Sequence, residues 1–227
     1  MTSPKSPLAD SAFIATTFVT LDFETLTPAG RKPEPIEIAL IGQRWEPSGW
    51  AKTTSFDALI KPPADVPVTR FTTQTGITTK MLATADSAAS VMTSVEQLFS
   101  EPPYVLVAHN ANYEAALIFE QRAYCPLLAR IPLLDTVRLA RIVYPELSQH
   151  RLDNVLSHLN IAAPVPRHRA MPDTQATAEL FIRIVEDGAE RGLWSTLEQL
   201  MSAGSIPAKL VKLEAEAARP QQGTLFG

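Results

Sequence analysis

The order of the hydrophobic patterns along the chain constrains its fold more than any other feature. Three stretches with strand character come first, over residues 18–24, 36–45 and 53–60, and short connections join them. Such an arrangement predicts an antiparallel meander. The pattern then becomes helical, and later a continuous apolar run over 104–108 predicts a buried strand that is followed by a helix over 112–123. Strands first and strand–helix alternation second predict an α/β fold with one mixed sheet covered by helices.

The rest of the chain divides into helical segments and two polar ends. An apolar stripe at 91–99 predicts a helix, 131–134 is a short apolar piece, and further helices are predicted near 136–143, 152–159, 173–184 and 208–218. Residues 1–14 are rich in Ser and Pro and are expected to form a loose arm. We therefore expect a main domain over 15–203 and, over 204–227, a C-terminal helix with a flexible tail.

Composition excludes several classes of protein. Of the 227 residues, 45% are hydrophobic and 19% are charged, which is ordinary for a globular chain and excludes a mainly disordered one. The single cysteine, Cys125, rules out an internal disulfide. A run long enough to cross a membrane and a secretory signal are both lacking, so a cytoplasmic protein is expected. The net charge of −4 argues against coating nucleic acid by bulk electrostatics, but permits an enzyme that grips a few phosphates.

Two acidic residues stand in the first predicted strand. Asp22 and Glu24 are two residues apart, so both carboxylates leave the same face of the strand, about 7 Å apart. The positions between and before them are apolar, which favours a central strand over a solvated edge strand with incidental acids. Two carboxylates within an apolar sheet are costly unless cations neutralise them.

Two later segments place further acids at the ends of predicted elements. Glu114 falls in the first turn of the helix that follows the buried strand, and Asp173 begins another helix just after a loop that carries His168. Ligands of α/β proteins gather at the ends of strands. Alone, each acid is better explained as a helix cap or a partner of the helix dipole than as a site residue. Their order in the chain makes a shared site the better interpretation.

In that order, the three segments resemble the motifs of the DEDDh group of 3′–5′ exonucleases, which includes the proofreading subunit of bacterial replicase, RNase T and oligoribonuclease. Residues 22–25 match D-x-E-T, residues 109–114 match the usual H-N-A-x-F-D, and residues 168–173 match H-x4-D. Shorter matches lie at 75–78, 135–138 and 152–154, and the resemblance covers about residues 17 to 187. One position departs from the pattern, because Glu114 stands where the group usually has Asp.

The resemblance implies a ribonuclease-H-like fold with a mixed five-stranded sheet flanked by helices, and an exonuclease domain over 15–203. It also implies a set of site residues. Asp22, Glu24, Glu114 and Asp173 would hold two divalent ions, Mg²⁺ or Mn²⁺, and His168 would take a proton from the attacking water. Nucleoside 5′-monophosphates would leave the 3′ end of DNA, single-stranded or frayed, in repair or proofreading. The alternatives are an RNA exonuclease of the same chemistry and a weakly active nucleic-acid-binding module of a polymerase complex.

The resemblance also suggests residues that contact substrate and a partner. Thr25 and Asn110 are candidates for holding the terminal nucleotide, although Asn110 is equally well explained as a turn residue. Arg167 and Arg169 could contact phosphates of the strand. The end of the chain resembles the short Q-x-x-L-F peptide with which bacterial DNA enzymes dock on the sliding clamp, and its candidate anchors are Gln222, Leu225 and Phe226. The alternative is that the Leu-Phe pair folds back onto the domain.

Overall fold

A seven-stranded mixed sheet forms the centre of the protein. The structure is a computed structural model that describes residues 9–68, 75–163, 165–166 and 168–218. In spatial order the strands run β4-β3-β2-β1-β5-β6-β7. Their bounds are β1 Thr17–Leu26, β2 Glu34–Glu46, β3 Gly49–Lys61, β4 Asp86–Ser87, β5 Tyr104–Ala108, β6 Leu133–Asp135 and β7 Ser205–Ile206.

Helices cover both faces of this sheet. In the described residues they are α1 Ser11–Ala15, α2 Thr79–Ala83, α3 Ala88–Glu96, α4 Asn112–Glu120, α5 Thr136–Val143, α6 Leu152–His158, α7 Ala170–Glu190, α8 Leu197–Gly204 and α9 Lys209–Ala217, with a short 3₁₀ helix at Leu128–Arg130. Among those helices, none is long and apolar enough to cross a membrane.

Strand β1 lies at the centre of the sheet, with an antiparallel neighbour on one side and a parallel neighbour on the other. It pairs antiparallel with β2, which pairs antiparallel with β3, so the predicted meander is confirmed. On its other side β1 pairs parallel with β5, and β5 pairs parallel with β6. The carboxyl ends of β1, β5 and β6 therefore lie at the same edge of the sheet, and α4 and α5 begin there.

The alternation of β1 assigns its side chains to two separate cores. Val19, Leu21 and Phe23 pack on one face, with residues of α3 and α4. Phe18 packs on the other face, with Phe181 and other residues of α7. Because side chains alternate along a strand, Asp22 and Glu24 leave β1 on the face that α7 covers. The fold thus brings the acids of β1 and the start of α7 to the same side of the sheet.

The structure differs from the sequence-based expectations in several elements. It has two strands more than the five expected, and each of these, β4 and β7, is only two residues long. Part of the arm expected to be loose over 1–14 is ordered, because α1 begins at Ser11 and Phe13 is fully buried against Phe18. Helix α8 was not predicted. Helix α7 begins three residues before the predicted start.

The segment after residue 203 packs on the domain over its described part. Strand β7 pairs with β6, and Ile206 belongs to the core beside β1. Helix α9 was predicted and is present; the guanidinium of Arg130 donates two hydrogen bonds to Glu214 on it, at 2.6 and 2.7 Å. The flexible tail remains a prediction, because residues 219–227 lie outside the described part of the chain.

Candidate active site

Three of the predicted site residues meet at the start of α7. The ligand atoms of Glu24, His168 and Asp173 all lie within 4.8 Å of one another. Glu24 comes from β1, His168 from the loop before α7, and Asp173 from the first turn of α7. Oxygen and imidazole nitrogen atoms so close together can coordinate a divalent cation. Two motifs that are more than 140 residues apart in the chain thus form one group.

Local backbone geometry sets the position of His168. Its φ of 57° lies in the left-handed region, which is uncommon for a residue with a side chain. Arg169 returns to an extended conformation, and Ala170 begins α7. The carbonyl of Arg169 accepts a hydrogen bond from the Asp173 N–H at 3.1 Å, within the first turn of the helix. The exposed imidazole is thereby held next to Asp173.

Asp22 lies among the other carboxylates. Burial raises the pKa of its carboxyl well above the usual value, and the charges of Glu114, Glu24 and Asp173 raise it further, in that order. Charges that raise the pKa of Asp22 must lie near it, because electrostatic interactions weaken with distance. Glu24, Glu114 and Asp173 therefore lie close enough to Asp22 to make a negative charge on it unfavourable.

Glu114 is the most deeply buried of these groups. Only 4% of the residue is exposed, and its Oε2 atom has no hydrogen-bond partner. Burial raises the pKa of its carboxyl to about 8, with a smaller contribution from Asp135, while a backbone hydrogen bond acts in the opposite direction. A buried carboxylate oxygen without a partner is costly. Divalent cations would satisfy it, so the residues present fit the metal site that the sequence predicts, with Glu in place of Asp.

Thr25 and Asn110, which are predicted to contact the terminal nucleotide, lie beside this acidic site. The Thr25 hydroxyl is 2.6 Å from the hydroxyl of Tyr113, so the end of β1 is tied to the first turn of α4. Asn110 follows β5 with a φ of 72°, and its backbone N–H donates to Asp135 Oδ1 at 3.1 Å. It lines an open cleft of about 530 Å³ together with Arg141 and Arg151.

The two arginines predicted to contact phosphates have different outcomes. Arg167 lies outside the described residues, and so do the predicted clamp anchors Gln222, Leu225 and Phe226. Arg169 is engaged elsewhere: its guanidinium donates from Nε and Nη2 to the buried carboxylate of Glu37. These donor atoms of Arg169 are therefore paired with a protein carboxylate, whereas the sequence suggested a contact with phosphates of the strand.

A known protein family matches the part of the chain that contains the predicted site residues. The family model RNase T, described as exonuclease, matches residues 19–181, which include all four carboxylates and His168. The chain belongs to this exonuclease family. The predicted resemblance to DEDDh exonucleases is confirmed, and the chain is accordingly a nuclease-family enzyme.

Curated relatives of this chain are named as DNA polymerase III proteins. The PolC-type DNA polymerase III of Bacillus subtilis is 32% identical over 181 residues, which are 78% of this chain and 12% of that protein. The DNA polymerase III subunit epsilon-like protein of Rhodobacter capsulatus is 35% identical over 196 residues, 83% of this chain and 26% of that protein. The chain thus spans about an eighth of the length of the first relative and about a quarter of the length of the second.

Solved structures of exonucleases share the fold. The nuclease domain of 3′hExo, a DEDDh family member bound to rAMP, has a TM-score of 0.64 at 19% identity, covering 80% of this chain and 96% of that one. Exonuclease X in complex with 5′ overhanging duplex DNA has a TM-score of 0.59 at 22% identity, covering 82% of this chain and 98% of that one. These likenesses confirm the ribonuclease-H-like fold of this family member.

Three further residues around the site of this exonuclease were not predicted. Glu37 faces Glu24 across the β1–β2 pair and is 2% exposed. Asp135 accepts hydrogen bonds from the N–H groups of Asn110 and Val137 and so joins β6, α5 and the turn after β5. His109 is held by Thr136 and by the carbonyl of His150, and burial lowers its pKa. Glu37 is a charged residue between two isoleucines in β2, and this pattern could have marked it in the sequence as a buried acid with a special role.

Proposed function

We propose that this family member is a metal-dependent 3′–5′ exonuclease that removes nucleotides from the 3′ end of DNA as 5′-monophosphates, from single-stranded or frayed ends. The observation that carries the proposal is the grouping of Glu24, His168 and Asp173 within 4.8 Å, next to two carboxyls with raised pKa values. Such a grouping of oxygen and nitrogen ligands, next to buried carboxyls of raised pKa, suits phosphodiester hydrolysis.

Asp22, Glu24, Glu114 and Asp173 would hold two divalent ions, Mg²⁺ or Mn²⁺. Their four carboxylates supply hard oxygen ligands, and the buried Oε2 of Glu114 without a partner supports a cation there. When bound, the ions supply activation of a water molecule and neutralisation of charge at the scissile phosphate. Without them, the acidic site would repel the phosphate group of a nucleic acid.

His168 is proposed as the general base. The imidazole is exposed to solvent next to Glu24 and Asp173, and a neutral histidine side chain can accept a proton near neutral pH. As the water oxygen bonds to phosphorus, its proton would pass to His168. The bond from phosphorus to the 3′ oxygen would break, and the leaving oxygen would take a proton from solvent. The 5′-monophosphate and a shortened strand with a free 3′ hydroxyl would be the products.

DNA is the favoured substrate, because both curated relatives are named DNA polymerase III proteins. Among the structures, Exonuclease X is bound to DNA, and E. coli Exonuclease I is bound to a dT13 oligonucleotide, with a TM-score of 0.66 at 19% identity and coverage of 82% of this chain and 46% of that one. RNA is the second candidate, since 3′hExo is bound to rAMP. A role in proofreading or repair accords with the polymerase names.

We also propose that the C-terminal residues Gln222, Leu225 and Phe226 dock on a sliding clamp. The support is the Q-x-x-L-F sequence at the end of the chain, whose two apolar anchors would enter a groove of the partner. Deleting residues 221–227 should leave digestion of short oligonucleotides unchanged, while capture of purified clamp should be lost. Lost digestion, or capture that survives the deletion, would contradict the docking proposal.

The test of the nuclease proposal is digestion of matched 5′-labelled DNA and RNA oligonucleotides with Mg²⁺ or Mn²⁺. We expect stepwise shortening of DNA from the 3′ end, faster than of RNA, and loss of shortening in Asp22→Asn and His168→Ala. Glu179→Gln, an exposed acid on the same helix as Asp173, is the matched control and should retain activity. Equal shortening by wild type and Asp22→Asn would contradict the assignment of the site.

A further inference from the structure

An ion pair between the buried Glu37 and the partly buried Arg169 joins β2 to the loop that carries His168. Glu37 stands on β2 opposite Glu24, with 2% of the residue exposed. Arg169 donates from Nε to both carboxylate oxygens, at 3.0 and 3.1 Å, and from Nη2 to one of them at 2.6 Å. Bidentate arginine–carboxylate pairs have a defined geometry and are stronger than neutral hydrogen bonds. The pair therefore fixes the side chain of the residue that follows His168.

The same carboxylate also holds the start of α7. The backbone N–H of Ala170 donates to Glu37 Oε2 at 2.9 Å. Ala170 is the first residue of α7, and Arg169, the residue at the N-cap position, makes no side-chain hydrogen bond of the capping kind. Glu37 thus replaces a conventional cap by satisfying one of the free N–H groups at the helix start. One buried side chain of β2 consequently fixes Arg169 and Ala170, the two residues that follow His168 towards Asp173.

The backbone of His168 requires such a restraint. A left-handed conformation of a residue other than glycine costs about 1 kcal/mol or more and persists where surrounding contacts determine it. His168 is exposed, so its own side chain is not held by core packing. Among the described residues, the contacts of its neighbours Arg169 and Ala170 with Glu37 provide this restraint.

We propose that Glu37 and Arg169 are positioning residues of the exonuclease: their ion pair sets His168 and Asp173 against the carboxylates of β1 before substrate binds. This inference rests on the proposed function. It replaces the expectation that Arg169 contacts a substrate phosphate, because Nε and Nη2 of its guanidinium are directed at Glu37 and only 27% of the side chain is exposed. Glu37 cannot itself attract a phosphate, since both carry negative charge.

Steady-state kinetics on a 5′-labelled oligonucleotide distinguishes a positioning role of Arg169 from a contact with a substrate phosphate. In Glu37→Gln and Arg169→Ala we expect kcat to fall at least about ten-fold with KM changed less than about two-fold, because the reacting groups are misplaced while substrate contacts remain. The double variant should be no worse than the poorer single variant, since the two residues act as one unit. A raised KM and a weaker salt dependence in Arg169→Ala, with Glu37→Gln fully active, would overturn the proposal in favour of a phosphate contact.

A second measurement does not depend on activity. Amide hydrogen exchange of the full chain without nucleic acid should be faster in peptides that contain residues 168–173 in Glu37→Gln than in wild type, with other peptides unchanged. Glu214→Gln is the matched control, because it weakens the exposed bidentate pair with Arg130 and should alter neither exchange at 168–173 nor kcat. Unchanged exchange at 168–173 in Glu37→Gln would overturn the proposal, and an inactive wild type would count against the proposed function alone.

Discussion

Two buried glutamates near Asp22 differ in their hydrogen-bond partners. Glu37 is 2% exposed and accepts hydrogen bonds from Arg169 and from the Ala170 N–H, whereas Glu114 is 4% exposed and has an oxygen without a partner. A buried carboxylate with partners joins elements of the fold. A buried carboxylate without partners destabilises the fold, and such a group is retained where it has a function.

The difference assigns the two residues to different roles. Glu37 connects β2 to α7, so its removal should affect the geometry and stability of the protein. Glu114 places a second carboxyl of raised pKa beside Asp22, so its removal should affect catalysis far more than folding. Sequence position alone would not separate them, because both are acids in apolar surroundings. The hydrogen-bond partners make the distinction, and four experiments can test it.

The largest expected effect is on catalysis, in Glu114→Gln. Because this change removes a charged metal ligand, kcat should fall by about 10³-fold or more. The thermal midpoint of the metal-free variant should equal or exceed that of wild type, since a buried carboxyl whose ionisation is costly is gone. A combined measurement of kcat and thermal unfolding checks both. A variant that keeps its activity, or that loses stability as Glu37→Gln does, would remove the contrast between the two glutamates.

The pH dependence of stability should show the cost of the charge on Glu114. Its pKa in the folded protein is about 8, above the ordinary value of 4.5, so the folded state holds a proton that the unfolded state has released between these values. The metal-free protein should therefore lose several kcal/mol of stability as the pH rises from about 5 to about 8, at about 1.4 kcal/mol per pKa unit.

Urea unfolding at several pH values in the presence of a chelator measures this slope. Glu114→Gln should make this slope smaller. In the wild-type protein, Mg²⁺ at pH 8 should restore the stability lost at high pH, because cations neutralise the site. A stability of the metal-free wild type that stays constant or rises over this range would contradict the role given to Glu114.

The third effect is on stability, in Glu37→Gln. Losing the charge of Glu37 weakens three hydrogen bonds from Arg169 and one from Ala170, so we expect a loss of about 2 kcal/mol in the free energy of unfolding at pH 7. Urea unfolding at one temperature gives this value. The exposed pair of Arg130 and Glu214 is the comparison, and Glu214→Gln should cost less than about 1 kcal/mol. Equal losses of unfolding free energy in the two variants would show that burial of Glu37 does not strengthen its ion pair.

The smallest expected effect is in Tyr113→Phe. This change removes the hydrogen bond between Tyr113 and Thr25 but restores the residue that is usual for the resembled exonuclease motif. We expect a loss of about 1 kcal/mol in unfolding free energy and kcat within about three-fold of wild type. Loss of activity comparable with that of Glu114→Gln would mean that Tyr113, and not only the carboxylates, takes part in catalysis.

Periodicity predicted the elements that extend over several turns or residues. The three N-terminal strands, β5 and the helices α3 to α6 were predicted with small errors at their ends, because a buried face imposes a period on the sequence. Helix α7 was predicted over 173–184, without its first three and last six residues. Strands β4 and β7 were not, since two residues have no period. Helix α8 was missed although Thr196 caps it by accepting from the Gln199 N–H. Phe13 was assigned to a loose arm because its partner Phe18 belongs to the next element.

The site was predictable where a residue's role follows from its own motif. Asp22, Glu24, Glu114, His168 and Asp173 were all named from their motifs, and the structure places three of them within 4.8 Å. The roles of Glu37 and Arg169 were not predictable, because they depend on a contact between residues 132 positions apart. Arginine beside a nuclease motif suggests a phosphate contact when no partner is visible. The register of β2 against β1, which places Glu37 opposite Glu24, was needed to show the partner.

The most direct test of the account is to count the divalent ions that the acidic site binds. Titration of the full chain with Mn²⁺ in the presence of the product analogue dTMP, followed by calorimetry or by the resonance signal of free Mn²⁺, gives this number. We predict two ions for each wild-type chain and a loss of at least one in Asp22→Asn and in Glu114→Gln, with Glu37→Gln still binding two. Equal binding by wild type and Asp22→Asn, or no binding by wild type, would contradict the claim that these carboxylates form a metal centre.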